Sequence, residues 1–182
     1  MVSNTVDDGN TLLFPDSGQS FTATTTAQIV KISLRPGDVF NGSLLIYDGS
    51  VGSGTTSVIG TPVYQQAGVS LPASTTGGPM QDIVLTTPFP VIAGNAYTFI
   101  LQGPNNFYAA FSDPYAGGQF VLAYGNTTTV PSADLAFQVW AVAPGDPASA
   151  VSIPTLSQWG LIVMSALLGL LSLARMRRRS KP

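Results

Sequence analysis

The apolar residues of this 182-residue chain are distributed in two different ways. Up to about residue 142 they alternate with polar residues over short runs, the period of a half-buried strand. Within 28–34, Val30, Ile32 and Leu34 fall on one face while Lys31 and Ser33 point away. Within 97–101, Tyr97, Phe99 and Leu101 share a face, and within 135–142 Leu135, Phe137 and Val139 face the core with Trp140 on the other side. Further runs begin at Gln19 and cover 43–47, 62–66, 81–86, 107–112 and 119–123. The turn Arg35-Pro36-Gly37-Asp38 and the Gly-, Ser-, Thr- or Pro-rich loops 49–60, 71–79 and 88–94 separate them. No 3.6-residue periodicity precedes Leu156. The pattern predicts an all-β fold of about nine strands, an antiparallel β-sandwich of jelly-roll type over residues 19–143. A polar lead-in, 1–18, precedes it, and a Pro/Ser/Ala linker, 144–152, follows.

The second arrangement is continuous. From Leu156 to Met176 no charge appears before Arg175. As a helix this run rises about 31 Å, which matches a hydrocarbon core of roughly 30 Å. Thr155 and Gln158 read as a capping box, with Pro154 just before it. Trp159 falls at one interface, while Arg175, Arg177, Arg178, Arg179 and Lys181 crowd the far end. A buried core helix would carry an amphipathic stripe and would not end in an arginine cluster. The expectation is one transmembrane helix in contact with membrane lipid, its basic tail cytoplasmic and the preceding residues across the membrane.

Ile153-Pro154-Thr155-Leu156-Ser157-Gln158-Trp159-Gly160, then an apolar helix, then a C-terminal arginine cluster, resembles the IPTL-CTERM protein-sorting domain, a cousin of the PEP-CTERM signals of Gram-negative bacteria. The resemblance covers about thirty residues, 153–182. It implies recognition by an exosortase-type integral membrane transpeptidase, with Ile153, Pro154, Thr155 and Leu156 as substrate residues. It also implies cleavage near the motif and transfer or release of the upstream part at the cell surface. More diffusely, Pro90–Phe99, Asp113–Gly118 and Asp134–Phe137 resemble sandwich modules of bacterial surface proteins, some of them similar in shape to carbohydrate-binding modules. That resemblance implies adhesive or glycan binding, with a cell-surface polysaccharide as partner.

Charge sharpens the division. All nine acids are aspartates upstream of the tail, opposed there only by Lys31 and Arg35, so that part carries −7 and the five bases of the tail bring the whole to −2. An acidic surface of this kind repels nucleic acid. Cysteine, histidine and glutamate are absent. Their absence removes Ser-His-Asp and Cys-His catalysis, the usual zinc ligand sets and glutamate general acids. The expectation is a non-enzymatic protein without a cofactor. The first ten residues carry neither a basic nor an apolar region of a secretory signal, although the arginine tail demands export of what precedes it. A signal peptide missing from the chain as written resolves the conflict.

Candidate sites remain, each with a plainer alternative. Asp113 and Tyr115 in the Asp113–Gly118 turn, with Phe107 and Tyr108, would make an aromatic, glycine-floored ligand surface; otherwise the aspartate caps its turn and the rings fill the core. Trp140 is either an exposed platform or covered. Asp7, Asp8 and Asp16 offer oxygen ligands for calcium, or are simply solvated. Asp113 and Asp134 are the pair a glycosidase would need, yet their spacing does not set them apart from turn residues.

Overall fold

A computed structural model describes residues 2–50, 60–104, 106–123, 128–130 and 132–144. They form strands and no helix. In chain order the strands are β1 (Val2–Asn4), β2 (Asn10–Leu13), β3 (Ser17–Thr22), β4 (Ala27–Leu34), β5 (Phe40–Asp48) and β6 (Tyr64–Leu71). There follow β7 (Gln81–Val91), β8 (Ala96–Gln102), β9 (Asn106–Ala110), β10 (Phe120–Leu122), β11 (Thr128–Val130), β12 (Asp134–Leu135) and β13 (Phe137–Val142). All pair antiparallel, in a four-stranded sheet β1-β13-β4-β7, a six-stranded sheet β11-β10-β3-β8-β5-β6 and a three-stranded sheet β12-β9-β2. Eight of them, β1, β3 to β8 and β13, make a regular set. The four-stranded sheet holds the first, eighth, third and sixth of these, and the six-stranded sheet holds the second, seventh, fourth and fifth side by side.

One apolar core lies between the two larger sheets. Ile29, Ile32 and Leu34 of β4 face Leu44 and Ile46 of β5 and Phe99 and Leu101 of β8, all with no exposed surface. Ring contacts tie the sheets together. Phe99 of β8 meets Phe137 of β13 at 5.8 Å, and Tyr97 of β8 meets Phe89 of β7 at 5.8 Å, edge to face. Each such side chain contributes about 1.5–3 kcal/mol by leaving water. Gly18 allows β3 to lie close on β8, because a Cβ there would strike the Phe99 backbone.

Four departures from the sequence pattern have physical causes. Thirteen strands replace the expected nine, because β1, β2 and β11 are too short to show a period and β12 is split from β13. The lead-in expected over 1–18 is built into the fold. Asn4 donates through Nδ2 to the Leu135 carbonyl at 2.9 Å, and Arg35 pairs with the buried Asp7 while its Nε donates to the Gly78 carbonyl at 2.9 Å. Polar residues order here because tertiary partners satisfy them. In β4 the inward residue is Ile29 rather than Val30, since a bulge between Ile29 and Lys31 resets the alternation. Strand β7 runs on through Pro88 and Pro90, expected as loop, because it lies at a sheet edge where a missing N–H costs no ladder bond.

Candidate functional site

The expected ligand surface does not come together. Phe107 of β9 is 1% exposed and packs on Phe40 at 5.6 Å, so it belongs to the core. Tyr108 beside it is half-buried and spends its backbone on Arg35 and Ala136. Tyr115 is also half-buried, its ring edge-on to Phe137 at 5.2 Å and its hydroxyl accepting the Thr22 N–H at 3.3 Å. Burial raises the Tyr115 phenol above its ordinary value. Asp113 is exposed, in the left-handed region at φ 48°. Trp140 stands apart on the outer side of the four-stranded sheet, 38% exposed. Its Nε1 donates to Ser33 Oγ at 3.1 Å, and Lys31 Nζ, itself paired with Asp82 at 2.9 Å, lies 4.5 Å from the ring centroid. That cation covers part of the platform the sequence suggests.

The turn after Asp113 is held from beneath by Asp134 of β12. Asp134 is fully buried. Its Oδ1 accepts Gln19 Nε2 at 2.6 Å and its Oδ2 accepts the Tyr115 N–H at 2.9 Å, while Gln19 Oε1 accepts the Leu135 N–H at 3.0 Å. Burial pushes the Asp134 carboxyl up to about 6, against the two hydrogen bonds that lower it, and the neighbouring Asp113 adds to the rise. The structure therefore brings Asp113 and Asp134 together. A general acid, however, must reach the proton acceptor of a substrate, and this carboxyl is sealed with both oxygens occupied.

Asp7, Asp8 and Asp16 go to three separate tasks. Asp7 neutralises Arg35 and accepts the Gly77 N–H at 3.3 Å. Asp8 accepts the Phe111 N–H at 3.0 Å and both nitrogens of Asn10, bonds that hold its carboxyl below the usual range. Asp16 Oδ1 accepts the Gly103 N–H at 2.8 Å. Among the described residues no three His, Cys, Asp or Glu side chains are arranged to hold a metal ion.

A feature the sequence did not point to lies where β5 ends and β7 turns into β8. A cleft of about 690 Å³ opens there, lined by Asp48, Val63, Phe89, Ile92, Asn95 and Tyr97 among others. The β7–β8 turn is shaped by Gly94 at φ 83°, and the Gly49 N–H donates to the Ala96 carbonyl at 2.8 Å, so that Asp48, paired with Tyr97, and Asn95 line the same cleft. Val63 and Ile92 are 49% and 58% exposed. Asp48 and Asn95 stand 47 positions apart and each reads as an ordinary turn residue, so only the fold, which pairs β5 with β8, brings them to one cleft.

Ile153, Pro154, Thr155, Leu156, Trp159 and Gly160, and the arginines Arg175, Arg177, Arg178 and Arg179, lie outside the described residues. Among the described residues there is no helix long and apolar enough to cross a membrane; the expected span, 156–176, falls outside them. For this segment the comparison with known families decides. Residues 151–178 match the IPTL-CTERM motif. The IPTL-CTERM segment is a C-terminal sorting motif, and it implies processing by an exosortase-type membrane enzyme. No curated protein and no solved structure matches the chain.

Proposed function

We propose that the chain is an exported, non-enzymatic surface or extracellular-matrix protein, made as a single-pass inner-membrane precursor. An exosortase-type transpeptidase cuts it at or near Ile153–Leu156 and passes the β-domain to the cell surface or the medium. The observation that carries this reading is the position of the IPTL-CTERM match, 151–178, just beyond a compact β-unit that ends at Asp146. The strand order of the eight regular strands supports a jelly roll, two Greek keys wound into facing sheets. A structural or adhesive role is favoured over catalysis by the missing histidine, cysteine and glutamate and by the sealed position of Asp134.

The test is the intact mass of the protein recovered from surface and membrane fractions of its native host, beside a Pro154→Ala/Thr155→Ala variant. Loss of about thirty C-terminal residues that the variant blocks is the expected result. A full-length mass in the inner membrane for both forms would overturn the sorting reading and make the same segment a permanent anchor.

A further inference from the structure

From the cleft at the end of β5 we infer that the β-domain binds a neutral saccharide, with Asp48 and Asn95 as its polar contacts. Volume is the first ground. At about 690 Å³ the cleft falls within the roughly 300–1,000 Å³ of small-molecule sites. The second ground is hydrogen-bonding capacity left unused. Asp48 is exposed, and neither its carboxylate nor the Asn95 carboxamide has a side-chain partner among the described residues, whereas Asp7, Asp8, Asp16 and Asp134 of the same domain are bound to arginine or to N–H groups. The third is the rest of the lining, the exposed aliphatic surface of Val63, Pro90 and Ile92 with the edge-packed rings of Phe89 and Tyr97.

Elimination fixes the ligand class. An anionic ligand needs a free cation, and both bases of the β-domain are committed, Lys31 to Asp82 and Arg35 to Asp7. A purely apolar ligand would cover Asp48 with no donor for it, which costs several kcal/mol. A sugar meets both demands at once. Two adjacent hydroxyls donate to the carboxylate, the carboxamide accepts from one hydroxyl and donates to another, and the C–H face of the ring lies on the aliphatic wall. A cationic ligand is the rival, since an ammonium group would also satisfy Asp48.

The inference does not depend on sorting, and its test uses purified full-length protein in lipid nanodiscs, which carry no sugar headgroup. Calorimetric titration with neutral α- and β-linked disaccharides of glucose, galactose and N-acetylglucosamine should give saturable binding to at least one. Asp48→Asn and Asn95→Ala should each weaken it about tenfold, and Trp140→Ala should leave it unchanged. Their circular dichroism spectra should match that of the parent, since both side chains are exposed. Three outcomes would overturn the inference: no disaccharide binds, or both cleft variants bind within twofold of the parent, or a diamine binds more tightly than any disaccharide and is displaced by salt. Loss of binding on Trp140→Ala would move the site to the outer face of the four-stranded sheet and overturn it as well.

Discussion

The Asp134 pocket, where β12 of the three-stranded sheet meets β3, and the Asp48 cleft, at the end of β5 and the β7–β8 turn, draw on the same residue types, a carboxylate and a carboxamide, and they end in opposite conditions. Around Asp134 both carboxylate oxygens and both ends of Gln19 are paired, and the group is dry. Around Asp48 and Asn95 the side chains face water and pair with no described residue. In the interior an unpaired polar group costs about 1–3 kcal/mol, so polar residues persist there mostly with their partners, and they act as structure. At the surface water satisfies them and a ligand can replace it. Pairing separates a structural aspartate from one that is available, and residue type does not.

The contrast is broken most directly at Gln19. Gln19→Leu removes the donor to Asp134 Oδ1 and the acceptor of the Leu135 N–H in a site with no access to water. Unfolding in urea should lose about 3 kcal/mol. A loss below about 1 kcal/mol would mean that water or a shifted backbone replaces the amide.

Asp134 itself offers the next effect, and its sign is distinctive. Its carboxyl titrates near 6 in the folded chain against an ordinary value of 3.8, so between those values the native state holds more protons. The stabilisation is fully present below about 3.8 and is lost as pH rises through about 6, a swing of roughly 2–3 kcal/mol. Asp8 and Asp82, whose carboxyls are held below 3.8, give the reverse slope in a lower window, with stability lost as pH falls beneath that value. The midpoint of thermal unfolding should therefore fall as pH rises from about 4 to about 6, and in Asp134→Asn that limb should be flat. A limb that survives the substitution would assign it to another group.

The smallest effect sharpens the other side. Asp48→Asn should change the unfolding free energy by less than about 0.5 kcal/mol, as expected of an exposed residue with no partner. A larger change would show that the carboxylate is structural after all.

How much of this was legible in the chain depends on how local each signal is. The alternation in 97–101 and 135–142 marked β8 and the stretch that divides into β12 and β13, with Tyr97, Phe99, Leu101, Leu135, Phe137 and Val139 buried as their spacing required. The sorting segment was legible for the same reason, since its motif, apolar run and arginines are contiguous. Val30 misled because one bulge shifts every later side chain to the other face, and no residue type announces a bulge in β4. The first eighteen residues hid their strands because Asn4 and Asp7 are ordered by Leu135 and Arg35, partners far along the chain. The expected ligand surface did not assemble because alternation alone does not say which face of β9 turns inward, and Phe107 packs on Phe40 in the core; the cleft was not legible because Asp48 and Asn95 come to line one space only in the fold.

The place of β13 in its sheet has a mechanical consequence. It is the last described strand before the sorting segment, and it lies between β1 and β4, registered to the one from Val2 to Asn4 and to the other from Gln28 to Leu34. Any tension applied through the chain after Val142 enters the domain at a strand laced on both edges. Extracting it means rupturing two ladders together and pulling Phe137 and Val139 out of the core. A pull on an edge strand would peel one hydrogen bond at a time; a pull on β13 would meet resistance on both sides.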